Sequence, residues 1–134
     1  MFVIAGIGVD LADLKRIREV LERHREGFIR RIFSGQEQRN HTAFLQTPTS
    51  SRTVEFIGGR FAVKEAVSKA LGCGIGTIGW HDIEVVQLPS GAPSVQLTGQ
   101  ALALAAARKI EKWHVSISHA KDSVVAFVVA ETKD

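Results

Sequence analysis

The stretch "GRFAVKEAVSKALG", Gly59 to Gly72, decides how this chain is read. Stepped at about 100° per residue, Ala62, Val63, Ala66, Val67, Ala70 and Leu71 cover one side of a helix. Several are small, which lets another element approach closely. Lys64, Glu65, Ser68 and Lys69 share the other side. Phe61 sits among them, which is unusual for a plainly solvated face. Two readings are open. Glu65 and Lys69 form an i,i+4 pair of about 0.3–0.5 kcal/mol on a wet surface, or the carboxylate and ammonium groups face a metal–phosphate ligand. Mg²⁺ commonly takes one or two protein carboxylates and completes its shell with phosphate oxygens and water. Glu65 then needs a second carboxylate from elsewhere.

Asp10 is the candidate. The apolar run "FVIAGIGV", residues 2–9, predicts a buried strand that ends on this residue. A carboxylate there needs a partner: a metal, or the backbone of a following helix that it caps. Asp13 caps or opens that helix, in which Leu14, Ile17, Val20, Leu21 and His24 form one stripe. Arg16 and Arg23 flank the stripe on one side, Arg18 and Arg25 on the other. Such a helix suits an acidic partner, a phosphate backbone or plain solvent. Phe28, Ile29, Ile32 and Phe33 form a second apolar cluster.

Further along, "SGQE" at Ser34–Glu37 has capping-box spacing. Residues 46–53, with Pro48, predict the most mobile loop. The long helix runs from Val54 to Leu71, weakened by Gly58 and Gly59 at roughly 1 kcal/mol each unless close packing needs them. A glycine-rich loop spans 72–79. Strands at 82–88 and 94–98 form a hairpin across "PSGAP". A helix covers 100–112, and strands at 113–119 and 123–130, the second fully buried, meet at "AKD". The whole predicts a single α+β domain, 1–134, with a mainly antiparallel sheet. His119 falls on the face of Val115 and Ile117, as a core residue or as a ligand contact. Ser116 and Ser118 lie opposite, and no Ser-His-Asp order or HExxH motif is present.

Of 134 residues, 45% are hydrophobic and 23% charged, as in globular proteins. No run of about 18 apolar residues predicts a membrane span. The N-terminal segment lacks the basic start of a signal peptide, so a cytoplasmic protein is expected. A lone cysteine, Cys73, excludes a disulfide framework and a multi-cysteine zinc site. The net charge of +3 admits nucleic acid, an acidic protein or an anionic cofactor. An RNA-binding module would not need Asp10 or Glu65, and the RNP-like aromatic pattern is missing.

Four stretches together, "GIGVDLADLKRI" (6–17), "GRFAVKEAVSKALGCGIG" (59–76), "DIEV" (82–85) and "HVSISHAKDSVVAFVV" (114–129), resemble the holo-acyl-carrier-protein synthases, the small bacterial-type 4′-phosphopantetheinyl transferases. The resemblance implies transfer of phosphopantetheine from coenzyme A to a serine of apo acyl carrier protein, with release of adenosine 3′,5′-bisphosphate. It implies Mg²⁺, with Mn²⁺ as the alternative, on Asp10 and Glu65, and Lys69 as electrostatic stabiliser. Arg60, Lys64, Ser68, Lys69, Gly72, Cys73, Gly74 and His119 become candidate coenzyme A contacts. A homotrimer with active sites at subunit boundaries is implied, as is a docking helix that receives the acidic carrier protein at Lys15, Arg16, Val20 and Arg23. Fatty-acid biosynthesis, no nucleic acid and no membrane go with this reading. Cys73 departs from the hydroxyl residue common in the family, and thiols are poorer donors. Residues 40–53 match nothing in the family pattern, so carrier preference could reside there. A non-catalytic carrier-binding scaffold would keep the basic helix and tolerate loss of the carboxylates.

Overall fold

A computed structural model describes residues 1–47 and 49–133. Its elements run β1 (Phe2–Asp13), α1 (Leu14–Ile32), α2 (Gly35–Asn40), α3 (Thr42–Gln46), α4 (Ser51–Ala70), β2 (Ile83–Gln87), β3 (Pro93–Leu97), α5 (Gly99–Ala107), β4 (Ile110–His119) and β5 (Ser123–Lys133). A 3₁₀ turn, Trp80–Asp82, precedes β2. The main sheet is antiparallel with order β1-β5-β4, and β2 and β3 form a separate hairpin. The α+β architecture is the expected one. Among the described residues, no helix is long and apolar enough to cross a membrane.

Helix α4 lies on one face of the main sheet. Its side chains Ile57, Ala62, Val63, Ala66, Val67 and Ala70 are almost wholly buried. The approach is very close. A Cβ added at Gly8 would stand 1.8 Å from the Ala66 carbonyl oxygen, and one at Gly6 would stand 2.0 Å from that of Ala70. Only glycine lets strand and helix backbones touch in this way. Arg108 fastens the same junction by donating to Ala5 O at 2.6 Å and Ala70 O at 3.1 Å.

Several boundaries differ from expectation. Helix α4 begins three residues early because Ser50 caps it, its hydroxyl accepting from Thr53 N at 3.2 Å. Of the expected 46–53 loop, Gln46 ends the short helix α3 and residues 51–53 open α4. What remains of that loop is held down: Arg25 donates to Leu45 O at 2.9 Å and to Thr49 Oγ1 at 3.1 Å, and Arg18 donates to Thr49 O at 2.9 Å. Pro48 lies outside the described residues. Helix α1 is capped by Asp13, whose carboxylate accepts from Lys15 N at 2.9 Å. It breaks at His24, which is exposed and non-helical, so His24 leaves the predicted stripe. Helix α5 stops at Ala107, where Lys109 takes a φ of 60° and turns the chain into β4.

The strands expected to be buried are only half so. Strand pairing places Ile7 beside Val129, Val9 beside Phe127, and Leu11 beside Val125. These side chains form the face turned away from α4. Leu11 is 71% exposed, Ile7 54% and Phe127 45%. The alternating face, with Gly8, Asp10, Ala12, Val124, Ala126 and Val128, looks toward α4.

Two glycines with opposite surroundings test this packing. Gly8→Ala should lower stability by about 1–3 kcal/mol or more, because backbone cannot yield to the methyl. Gly59→Ala should raise it by about 0.4–1 kcal/mol, since its Cβ would meet Ile117 at an ordinary 3.7 Å. Urea unfolding of both variants measures the contrast.

Candidate functional site

Alternation along β1 turns Asp10 toward α4, and the Gly8 contact brings α4 within reach. Lys69 then extends back along its helix, as helical side chains do. Its ammonium donates to Val9 O at 2.9 Å and to Asp10 Oδ1 at 3.1 Å. Glu65 lies one turn earlier on the same flank of α4. Burial raises its proton affinity first, the Asp10 carboxylate adds to this, and Lys69 opposes it. Asp10, Glu65 and Lys69, predicted from separate stretches of sequence, thus form one cluster. Two neighbouring hard oxygen donors that repel each other suit a hard divalent cation, and Lys69 already supplies positive charge beside them.

Lys64 and Ser68 do not share that flank. Both are fully buried, because α1, α2 and the β2–β3 hairpin cover the side of α4 facing away from the sheet. The Lys64 ammonium donates to Glu37 Oε1 at 2.6 Å, Ile32 O at 2.6 Å and Trp80 O at 3.2 Å. Its three protons are therefore spent inside the protein, and the expected contact with coenzyme A is corrected to an internal one. Burial pulls its proton affinity down and the Glu37 carboxylate opposes this. The Ser68 hydroxyl donates to Glu65 O at 2.6 Å. Phe61, the apolar residue on the polar side, stacks between Phe28 and Trp80, with centroids at 6.1 and 5.1 Å.

Arg60 and His119 meet elsewhere. With Phe44, Arg52, Glu55, Phe56, Gly59 and Ile117 they line a cavity of about 300 Å³. A second cavity of about 420 Å³ continues past Arg60 to His41, Gln87, Gly91 and Pro93. The Arg60 guanidinium lies over the Phe56 ring at 4.3 Å, and its Nε is buried with no partner among the described residues. Burial lowers its proton affinity, against the pull of Glu37. His119 is exposed, with Nε2 3.9 Å from Glu55 Oε2, so it is not a core histidine. Five residues separate Arg60 from Glu65, or about 140° around the helix. The carboxylate cluster and the basic cavity therefore occupy opposite flanks of α4.

The loop after α4 needs glycine: Gly72 and Gly74 have φ of 77° and 71°. Gly72 ends the helix, and Cys73 N and Gly74 N both donate to Ser68 O, at 3.2 and 3.3 Å. Burial raises the Cys73 thiol's proton affinity. Lys15, Arg16 and Arg23 are exposed on α1 and Val20 is half-buried, whereas Arg18 and Arg25 donate to Thr49 and Leu45. Glu37, the partner of Lys64, was legible only as a capping residue.

Residues 6–128 match the family model of the 4′-phosphopantetheinyl transferase superfamily. The holo-[acyl-carrier-protein] synthase of Oceanobacillus iheyensis is 40% identical, over 98% of this chain and 100% of its own. A holo-(acyl-carrier-protein) synthase from Bacillus anthracis, solved in complex with CoA (3′,5′-ADP), superposes with a TM-score of 0.77 at 37% identity, covering 97% and 98% of the two chains. The Plasmodium yoelii acyl carrier protein synthase with ADP bound gives 0.88 at 29% identity, covering 100% and 99%. The chain belongs to the 4′-phosphopantetheinyl transferase superfamily, among its holo-[acyl-carrier-protein] synthases.

Burial and the neighbouring Asp10 carboxylate disfavour the charged form of Glu65. A carboxyl group whose folded proton affinity is raised opposes folding above that raised pKa, and the penalty fades as pH falls toward its unfolded value. Glu65→Gln should therefore raise the melting temperature of the metal-free chain at pH 7 and leave it nearly unchanged near pH 4, as read by thermal unfolding at both.

Proposed function

We propose that the chain transfers 4′-phosphopantetheine from coenzyme A to a serine hydroxyl of apo acyl carrier protein. The observation that carries this reading is the cluster of Asp10, Glu65 and Lys69 within a member of the synthase family. The serine oxygen forms a bond to the phosphorus bearing pantetheine and gives up its proton to solvent, the bridging phosphorus–oxygen bond breaks, and adenosine 3′,5′-bisphosphate leaves. Catalysis of this type depends on positioning and on neutralising charge.

Asp10 and Glu65 would hold Mg²⁺, or Mn²⁺ in its place, which would supply Lewis-acid polarisation of the attacked phosphate and offset its charge. Lys69 exchanges its ion pair with Asp10 for a phosphate oxygen and stabilises the departing bisphosphate. The Gly72–Gly74 backbone lies at the end of the same helix, within reach of that ligand. Arg60 and His119 bind phosphate and adenosine groups of coenzyme A. Because these two residues lie across α4 from the carboxylates, a complete site needs a second subunit. The exposed face of Ile7, Val9, Leu11 and Phe127 offers the apolar surface for a homotrimer. Lys15, Arg16, Val20 and Arg23 form the docking surface for the acidic carrier protein. The segment 40–53 beside it tunes carrier preference, and the reaction serves fatty-acid synthesis in the cytoplasm.

Intact mass of apo acyl carrier protein after incubation with the chain, coenzyme A and Mg²⁺ tests the reaction. A gain of one phosphopantetheine that needs both enzyme and metal is expected, and no gain with a folded chain would leave the scaffold reading. Glu65→Gln and Arg60→Ala should each lose at least about 100-fold in kcat/KM, and mixing the two inactive variants after dissociation should restore part of the activity through hybrid assemblies. Arg16→Glu should raise KM for carrier protein about tenfold while leaving that for coenzyme A unchanged.

A further inference from the structure

We infer that the buried Lys64–Glu37 ion pair is a positioning device: it fixes the rotation of α4 about its own axis and so aims Glu65 at Asp10. The inference rests on the metal-holding role given above to those two carboxylates.

The contact of α4 with β1 is backbone on backbone, with the carbonyls of Ala66 and Ala70 against Gly8 and Gly6. It sets the separation of helix and strand, and the apolar side chains Val63 and Val67 pack beside it without direction. The opposite side of α4 adds a directional restraint. Lys64 Nζ is held by three acceptors on three elements: Ile32 O at the end of α1, Glu37 Oε1 in α2, and Trp80 O in the 3₁₀ turn. Glu37 is held in turn. Its Oε1 accepts from Ser34 N at 3.0 Å and its Oε2 from Val85 N in β2 at 3.2 Å. One ammonium thus ties α4 to α1, α2, the 3₁₀ turn and the hairpin. It does so from the residue directly before Glu65, about 100° away around the helix.

The lever arm is short and the tolerance small. A carboxylate about 6 Å from the helix axis moves about 1 Å for each 10° of rotation, and misplacement of about 1 Å can cost about 100-fold in rate. Apolar residues of similar volume often replace a buried ion pair without loss; here that exchange also takes the acceptor from Ser34 N and Val85 N, whereas Glu37→Asp keeps a carboxylate in place. Lys64 and Glu37 are 0% and 3% exposed, so neither reaches a ligand directly.

The test compares the parent with the double variant Glu37→Leu/Lys64→Met and with Glu37→Asp, which keeps both charges but shortens the reach. The readouts are unfolding temperature, Mn²⁺ affinity by electron paramagnetic resonance without coenzyme A, and kcat and KM. The double variant should remain folded, bind Mn²⁺ about 10–100-fold more weakly and lose kcat by a similar factor, with KM for coenzyme A unchanged. Glu37→Asp should shift both in the same direction by less. Parental Mn²⁺ affinity and kcat in a folded double variant would overturn the inference, as would a rise in KM for coenzyme A alone. Should the double variant fail to fold, parental values for Glu37→Asp overturn it equally. A parent chain that binds Mn²⁺ yet transfers nothing would instead overturn the functional reading.

Discussion

The contact between the backbones of β1 and α4 governs this structure. Gly6 and Gly8 remove the side chains that would hold strand and helix apart, and the carbonyls of Ala66 and Ala70 fill the space. Asp10 stands two residues beyond Gly8 on the same face of the strand, and Lys69 one residue before Ala70. A side chain at either glycine would push the helix off the strand and draw Lys69 away from Asp10, from which it now stands at 3.1 Å. The glycines therefore act on the chemistry through geometry, without touching a ligand.

The same placement explains why one chain separates the parts of its proposed site. Helix α4 sits across the sheet like a wall. Its β1 flank carries Glu65 and Lys69, and its other flank carries Arg60 beside Ile117 and His119. Strand β1 is also a sheet edge whose outer side chains are apolar and exposed. An edge of that kind is usually blunted or covered. Covering it with another copy, as in the proposed trimer, would protect that apolar surface.

Much of this was legible in the sequence, for identifiable reasons. The small-residue stripe of α4 announced a close neighbour, and the strand-end position of Asp10 made it the natural second carboxylate. The Ser34–Glu37 spacing gave the capping box that is present. Other features were not legible because they depend on tertiary contacts. Helical stepping groups Lys64 and Ser68 with Glu65 and Lys69, and nothing in a period of 3.6 reveals that α1 and α2 will cover half of that polar side. Glu37 looked like a cap because it is one; its second partner lies 27 residues on. The outer faces of β1 and β5 read as buried because apolar runs report that burial is needed, not what provides it.

Helix α4 carries two lysine–carboxylate pairs with opposite physical characters. Lys64 is shielded from water, 2.6 Å from Glu37, and every proton has an acceptor. Removing one partner would strand a buried charge at a cost of about 3–5 kcal/mol, so the pair does not open in ordinary fluctuations. Lys69 is half-exposed and 3.1 Å from Asp10. A pair in such surroundings contributes about 0–1 kcal/mol and yields readily to a phosphate or a metal. Two lysines five positions apart on one helix thus make a buried ion pair and an exchangeable one. In the proposed reaction the first holds the helix in rotation while the second changes partners. A site that must exchange counter-ions during reaction, yet keep its carboxylates within about an ångström, needs both.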